Sequence, residues 1–313
     1  MFGELIALST ALCWSIGIFP FTEASKRLGA APLNQYRLLL AWAILSAVLL
    51  FFYPVSLTGL FTRPKFNQYL FLGLSGIIGF TIGDYFMFSS FKHLGPKLAS
   101  LYFTLAPGAA LLAGFLILDQ KINFIGVAGI FITTGGVIWL TLSKKDKRSS
   151  REVGFARSPA GAIYGIIGAL CQGTGLVVSK LGIDAYNEKL PTIHAVWIRL
   201  LFAFGAAFLI SAVTGQIKKN ATPVFKNQNN GLPYLVAGTI FGPVLGVSLS
   251  LLAIQHMAVA AAQTIFALVP VLVLPMNYMY YKEKITVQAL ISCLIAILGV
   301  FILIWRDTIE QWI

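Results

Sequence analysis

Nine stretches of this sequence, each at least 18 residues long, contain no Lys, Arg, Asp or Glu. A helix needs about 20 mostly apolar residues to cross the hydrocarbon core of a bilayer. The stretches are 5–22, 38–62, 66–83, 98–118, 122–143, 158–179, 200–217, 227–281 and 285–305. The run at 227–281 is long enough for two crossings and has a polar hinge at Gln255 and His256. The sequence therefore predicts an all-α integral membrane protein with ten transmembrane helices.

The composition supports this class and argues against others. Charged residues make up 11% of the chain, against about 25% in soluble domains. A transmembrane barrel would show short alternating strands, whereas these runs are continuously apolar. The net charge of +12 comes mainly from Lys and Arg in short loops, as is typical of cytoplasmic flanks and of contact with anionic lipid. No nucleic-acid partner is therefore expected.

The three cysteines, Cys13, Cys171 and Cys293, lie within apolar runs and show no metal-binding spacing. Cysteine in such a setting behaves as a small buried packing residue. No disulfide, metal or cofactor is predicted.

The two halves of the chain repeat one another. The segment GELIALSTALC at 3–13 resembles GAIYGIIGALC at 161–171, and FKHLGPKLASLYFTLAP at 91–107 aligns with 254–270 at an offset of 163. That register pairs Gly79 with Gly242, Gly83 with Gly246, His93 with His256, and Pro107 with Pro270. Arg37 and Arg199, each early in the second span of its half, correspond after a small gap.

Each half contains five predicted spans, so the second half must enter the membrane from the opposite side. The sequence thus predicts two inverted five-helix repeats, 1–142 and 159–306, joined by a basic linker at 143–158 and followed by a tail at 307–313. Inverted repeats recur in secondary transporters, whose substrate sites lie near the bilayer midplane.

These features resemble the drug/metabolite transporter superfamily and, within it, the EamA-type permeases. The resemblance rests on the ALC openings of spans 1 and 6, the early arginines of spans 2 and 7, FTLAP and FALVP in spans 4 and 9, and DQKI and KEKI before spans 5 and 10. It implies that helices 1–4 and 6–9 surround a cavity, with 5 and 10 outside them. The family's usual Gly-Glu before span 5 is Asp119-Gln120 here, although Glu283 is present in the second half.

The chain is expected to be a multi-pass protein of the plasma or inner membrane, and its orientation has two opposed indications. The face that carries the central linker has fifteen Lys and Arg, whereas the face with both termini has six, with Arg37 and Arg199 left out as membrane-embedded. The positive-inside rule places the richer face in the cytoplasm. The family resemblance instead implies cytoplasmic termini.

Asp84 lies within the third predicted span, in IGFTIGDYFMF at 78–88. An ionised carboxylate inside a bilayer costs on the order of 3 kcal/mol and marks a candidate functional site. Asp84 is therefore a candidate for substrate binding and for proton coupling. The structural alternative is a carboxylate near the interface, satisfied by an arginine or water. Its repeat equivalent is Val247, so the symmetry is broken here.

Arg37 and Arg199 allow two interpretations. The favoured one is an anchor whose guanidinium reaches the lipid headgroups. The other is an ion pair with Glu23 or Asp84, or an attraction for an anionic substrate.

Pro107 and Pro270 occupy equivalent positions in spans 4 and 9. Proline leaves the carbonyl four residues earlier without its helical bond and kinks the helix. The kinks are expected to shape packing, or to present carbonyls near Phe103 and Phe266 to a cavity, as discontinuous helices do in transporters.

Glycines at spacings of three or four residues, Gly76, Gly79 and Gly83 in span 3 and Gly238, Gly242 and Gly246 in span 8, predict close helix packing. The remaining cavity candidates are aromatic and amide side chains inside predicted spans: Trp14, Tyr85, Tyr102, Gln172 and Gln263. A side-chain amide in a membrane needs hydrogen-bond partners, so both glutamines are expected to face the protein interior. There they would line a cavity or join two helices.

Together these features favour a secondary transporter of small metabolites, amino acids or drug-like solutes, acting by alternating access as an exporter. A proton is the favoured coupling ion, because Asp84 is the one carboxylate well inside a predicted span, and sodium coupling or pure exchange are the alternatives. A membrane enzyme would need a motif such as H-E-x-x-H or G-x-S-x-G, and neither occurs. A scaffold or sensor without transport stays an alternative. The expected partners are a small-molecule substrate, the bilayer and a proton, with the chain acting as a monomer or homodimer.

Overall fold

A computed structural model describes residues 2–53, 56–118, 124–143, 148, 151–156, 158–185, 190–256, 265–266 and 268–310, and the regular secondary structure among them is helical. The N-terminal half contains α1 (Phe2–Leu28), α2 (Ala30–Phe52), α3 (Leu57–Thr62), α4 (Phe66–Gly76), α5 (Asp84–Tyr102), α6 (Ala106–Leu118) and α7 (Phe124–Leu142). The C-terminal half contains α8 (Pro159–Asp184), α9 (Thr192–Val213), α10 (Ile217–Phe225), α11 (Leu232–Thr239), α12 (Ser248–His256), α13 (Val269–Tyr281), α14 (Val287–Ile304) and α15 (Arg306–Glu310).

Within the described residues, six helical segments are long and apolar enough to cross a membrane. They are Phe2–Leu28, Ala30–Phe52, Phe66–Ile117, Pro159–Ile183, Thr192–Val213 and Gln228–Ala253, with two shorter apolar helices at Phe124–Leu140 and Val287–Ile302. The segment Phe66–Ile117, at 52 residues, is long enough for two crossings. Its helix is broken at Gly95, whose φ of 77° suits glycine and precedes Pro96. The prediction of a multi-pass helical membrane protein is confirmed.

Two π-helical segments lie at equivalent places in the halves, Ile77–Gly83 between α4 and α5 and Ile240–Val247 between α11 and α12. Each packs against the first helix of the other half. A β-carbon built on Gly175 of α8 would lie 3.2 Å from the Cα of Gly79, and one built on Gly17 of α1 would lie 3.5 Å from the amide of Gly242. Glycines thus allow close backbone approach at both segments, as their spacing predicts.

The helices α2 and α9 pack together through a buried apolar layer that includes Leu38 and Leu45 of α2 and Val196 and Leu200 of α9. Trp197 in the same layer is fully buried and donates to the Ser46 hydroxyl at 2.7 Å. This packing fixes the helices that carry Arg37 and Arg199.

The last long helices of the two halves, α7 and α14, meet in a reciprocal contact. A β-carbon on Gly136 would lie 2.8 Å from the Ser292 carbonyl, and one on Gly299 would lie 2.8 Å from the Gly129 carbonyl. Between them, the Thr133 hydroxyl lies 3.4 Å from the Ala296 carbonyl. Gly129, Thr133 and Gly136 each stand 163 residues before Ser292, Ala296 and Gly299, respectively. The contact of Gly136 with Ser292 is therefore repeated, with the two halves exchanged, by the contact of Gly299 with Gly129.

Candidate functional site

The first π-helical segment sets up the site, because its altered hydrogen bonding makes backbone carbonyls available to side chains. A π-helix bonds residue i to i+5 and is typical of functional positions. Asn34 of α2 donates its amide to the Thr81 carbonyl at 2.8 Å. Gln172 of α8 donates to the Gly79 carbonyl at 3.3 Å. The segment therefore holds together one helix from each half and directs the next residue, Asp84, between them.

Asp84 is satisfied by both of these helices. One carboxylate oxygen forms an ion pair with the Arg37 guanidinium, and the other accepts a hydrogen bond from the Gln172 amide. Arg37 also donates to the Asn34 side-chain oxygen at 3.0 Å from Nη2 and 3.2 Å from Nε. The Arg37 side chain is 3% exposed and that of Asp84 is 14% exposed. A charge-assisted network of this kind offsets the cost of placing a carboxylate in an apolar span.

Arg199 approaches the same carboxylate from the second half. It is 6% exposed, its guanidinium carbon lies 4.4 Å from the centre of the Phe80 ring, and it interacts electrostatically with Asp84. Within the part of the chain that the structure describes, its Nε has no hydrogen-bond partner. We call Asn34, Arg37, Asp84, Gln172 and Arg199 the central cluster.

Asp84 and Gln172 of the central cluster lie far from these helix ends, well inside the apolar segments. Asp84 precedes the break at Gly95 by 11 residues, which is about 16 Å at 1.5 Å per residue. Gln172 follows the start of α8 at Pro159 by 13 residues, or about 20 Å. Half of a typical hydrocarbon core is about 15 Å. The cluster therefore lies about half a hydrocarbon thickness from these two helix ends.

The other predicted cavity residues are dispersed around the central cluster. The Trp14 ring lies 5.1 Å from that of Phe266, tilted by 59°, and covers Gly246. Tyr102 is 3% exposed and packs on Gly165. Tyr85 is 40% exposed, and its ring lies 5.4 Å from that of Phe86. Gln263 lies outside the described residues.

Both predicted prolines lie in the first turn of a helix. Pro107 follows a 3₁₀ turn at Phe103–Leu105 and opens α6, and Pro270 is the second residue of α13. Proline is tolerated in a first turn because its missing N–H has no intrahelical acceptor there.

The anchor interpretation of the two arginines does not fit the structure. Both guanidiniums are buried, and that of Arg37 contacts Asp84 and Asn34. Of the two carboxylates considered as its partner, Asp84 is the one that it meets. Burial between two packed helices, α2 and α9, turns these side chains inward. Sequence position alone could not distinguish that direction from snorkelling.

A second polar group at the ends of α1 and α13 escaped the sequence reasoning. Glu23 accepts a hydrogen bond from the Tyr281 hydroxyl at 2.6 Å and lies 3.2 Å from Arg27 and 3.5 Å from Lys26. The Lys26 ammonium lies 3.9 Å from the centre of the Phe155 ring, which meets Tyr281 edge-on. We call Glu23, Lys26, Arg27, Phe155 and Tyr281 the end cluster. It ties the first half, the linker and the second half together.

A buried ion pair also joins the first half of the chain to the second. Lys97, just after the break at Gly95, pairs with Glu283, and their side chains are 2% and 1% exposed. Asn277 of α13 donates to the same carboxylate at 2.8 Å. The sequence signal for this contact was Glu283 in the KEKI link, but Lys97 resembles a loop charge until the fold is known.

Metal ligation has no support in the described ranges. No group of three or more His, Cys, Asp or Glu side chains lies close enough together there to hold an ion.

Long apolar helices from both halves around a buried, charged centre define a polytopic membrane protein with a polar interior. The EamA-like transporter family matches residues 1–142 and 159–305. The chain belongs to the EamA-like transporter family, and the resemblance seen in the sequence is confirmed.

Three curated relatives carry transporter descriptions. One from Haemophilus influenzae, an uncharacterized transporter, is 27% identical over 189 residues, covering 60% of this chain and 59% of the relative. One from Clostridium kluyveri, also an uncharacterized transporter, is 25% identical over 237 residues, covering 74% and 71%. The uncharacterized inner membrane transporter YhbE of Escherichia coli K12 is 25% identical over 137 residues, covering 44% and 41%. The chain thus spans less than two thirds of the first and third relatives.

A solved crystal structure has the same overall fold. It superposes with a TM-score of 0.57 at 18% identity and covers 96% of each chain. At that identity the likeness concerns the fold alone.

Proposed function

We propose that this protein is a secondary active transporter that exports small metabolites, amino acids or drug-like solutes by alternating access, coupled to protons through Asp84. The observation that carries the proposal is the central cluster: a carboxylate well inside an apolar segment, held by an arginine of the first half and a glutamine of the second. Intramembrane ionisable residues of this kind mark substrate or proton pathways. Membership of the EamA-like transporter family supports the same class.

The proposal includes ten transmembrane helices arranged as two inverted five-helix repeats. Three observations support it: the family matches two separate segments, the π-helical segments stand at equivalent positions, and α7 and α14 contact each other reciprocally. Reciprocal contact between equivalent residues is the mark of a two-fold relation.

Asp84 supplies the coupling step in this scheme. As a carboxylate it holds Arg37 and Gln172, and so ties α2 and α8 to the π-helical segment. A proton on Asp84 cancels the charge that attracts Arg37 of the first half and Arg199 of the second, and weakens the hydrogen bond from Gln172. The contact between the halves at the π-helical segment is then looser. The proton thereby changes the relative free energies of two arrangements of the helices, as coupling requires.

The end cluster supplies a closed gate on one side. It joins α1 to α13 through the Glu23–Tyr281 hydrogen bond and covers the joint with Phe155. Opening this side of the protein requires these contacts to separate. Alternating access then requires contacts on the opposite side of the protein to close when the end cluster opens.

The test is flux into liposomes that carry the purified protein and an imposed pH gradient, with pooled metabolites as solutes. Asp84→Asn is compared with wild type and with the double variant Arg37→Gln/Asp84→Asn, which leaves no unpaired Arg37. Glu152→Gln is the matched control, because Glu152 is 60% exposed outside the spans. Thermal unfolding in detergent checks that each variant is folded.

We expect gradient-driven flux in wild type and in Glu152→Gln, and none in either Asp84 variant. Flux that is independent of the pH gradient in every variant would support transport but contradict proton coupling at Asp84. Absence of flux for all solutes in folded wild-type protein would favour the scaffold or sensor.

A further inference from the structure

The duplicated arginines of the central cluster have different surroundings. Arg37 has three acceptor contacts, two to Asn34 and one to Asp84. The residues at the repeat positions of Asn34 and Asp84 are Val196 and Val247. Arg199 therefore lacks the amide and the carboxylate that its counterpart has, although it is buried to a similar degree.

The charges of the central cluster do not balance. It holds two guanidiniums, which stay protonated in proteins, and one carboxylate, which Arg37 and Gln172 already occupy. One positive charge is left over in a buried setting, where an uncompensated charge is costly. Burial of Arg199 with an unbonded Nε is thus a structural cost that the Phe80 ring and the shared carboxylate of Asp84 offset in part.

The Nη2 atom of Arg199 faces Gly79, which has no side chain. A β-carbon on Gly79 would lie 3.7 Å from Arg199 Nη2 and 3.9 Å from the Gln172 side-chain oxygen, both ordinary contact distances, so a small group fits there. The Phe80 ring holds the guanidinium plane from one face. A guanidinium fixed in this way presents a planar pair of donors, which matches the two oxygens of a carboxylate.

We propose that Arg199 binds the carboxylate group of the transported solute, so that the substrates are small organic anions; this inference rests on the proposed function. Arg37 is the structural member of the pair, held by Asp84, and Arg199 is the substrate-binding member. A bound carboxylate cancels the remaining charge of the central cluster and accepts hydrogen bonds from the Arg199 guanidinium. Cationic solutes are excluded by the same positive charge.

The first experiment measures binding separately from transport. Thermal unfolding of the detergent-purified protein is followed with a panel of small aliphatic and aromatic carboxylates, each paired with its carboxamide, and with inorganic phosphate. The variants are Arg199→Gln, Gly79→Ala, which places a methyl group beside Arg199 Nη2, and Gly205→Ala. A β-carbon on Gly205, which lies about 1.7 turns from Arg199 on α9, meets nothing within 4 Å, so Gly205→Ala is the matched control.

We expect at least one carboxylate, but not its amide, to raise the unfolding temperature of wild type and of Gly205→Ala. Arg199→Gln should weaken that binding about 10- to 100-fold, the loss of a charge-assisted hydrogen-bonded contact, and should unfold no earlier than wild type without ligand. Gly79→Ala should weaken binding while keeping the unliganded unfolding temperature. The inference fails if amides match their carboxylates, if Arg199→Gln responds like wild type, or if phosphate alone stabilises the protein.

The liposome assay distinguishes this inference from the proposed function. Stabilisation by carboxylates without flux of any solute would keep the anion site and reject transport. Flux of neutral or cationic solutes, with no carboxylate bound, would keep transport and reject the anion site.

Discussion

The Lys97–Glu283 ion pair joins the two halves and offers a sharp energetic test. Both side chains are almost completely buried, so removing one partner takes the opposite charge away from a charged group that stays buried. Breaking a buried pair in this way costs about 3–5 kcal/mol, whereas replacing both partners by neutral groups of similar size is often nearly neutral. We expect Lys97→Met and Glu283→Gln each to destabilise the protein by that amount, and the double variant to lose less than either single variant.

The assay is unfolding in detergent, with a double-mutant cycle across the four proteins. A loss of about 3–5 kcal/mol corresponds to roughly 5–15 °C in a domain of this size. Lys226→Met is the control for the lysine change, because Lys226 is exposed and follows α10 in a loop. Additive losses in the double variant would refute the reasoning, since uncoupled residues add. The effect of either single variant would then have to come from separate contacts.

Three further changes probe the packing around the site. Gly76→Ala places a methyl group against the Arg199 backbone carbonyl. The two helices must then move apart, which should lower the free energy of unfolding by about 1–3 kcal/mol. Gly135→Ala, with open space around it, should leave that free energy unchanged in the same assay. Tyr281→Phe removes the hydroxyl bonded to Glu23 and should increase labelling of cysteines introduced in the end cluster; unchanged labelling would contradict its role as a gate. Phe155→Ala empties the space beside Gly95 and should cost about 3–5 kcal/mol, measured by unfolding with Phe155→Leu for comparison.

The sequence predicted the fold well where the physics is that of bilayer length and apolarity. Runs without charge predicted the six long apolar segments that the described residues show, and glycine spacing predicted the close contacts at Gly79 and Gly242. The π-helical segments could not be predicted. A shift of the hydrogen-bond partner by one residue leaves no trace in composition or periodicity.

The candidate site was predictable residue by residue but not as an arrangement. Asp84, Arg37 and Gln172 each stand out as polar groups in apolar helices. Their meeting depends on contacts between residues 47 and 88 positions apart, which no local pattern records. Lys97 shows the opposite difficulty, since a lysine beside a turn resembles a topological charge until a buried carboxylate is found against it.

The contact between α7 and α14 bears on how such a chain could have originated. Gly136 touches the second helix as Gly299 touches the first, with Thr133 and Ala296 between them. A surface that is complementary to its own equivalent needs no second gene, because two copies of one half can already form the pair. In the proposed inverted arrangement, those copies would have to insert in opposite orientations. Once the two copies are fused through the basic linker, one sequence no longer has to insert in both orientations. The two arginines of the central cluster can then acquire different surroundings.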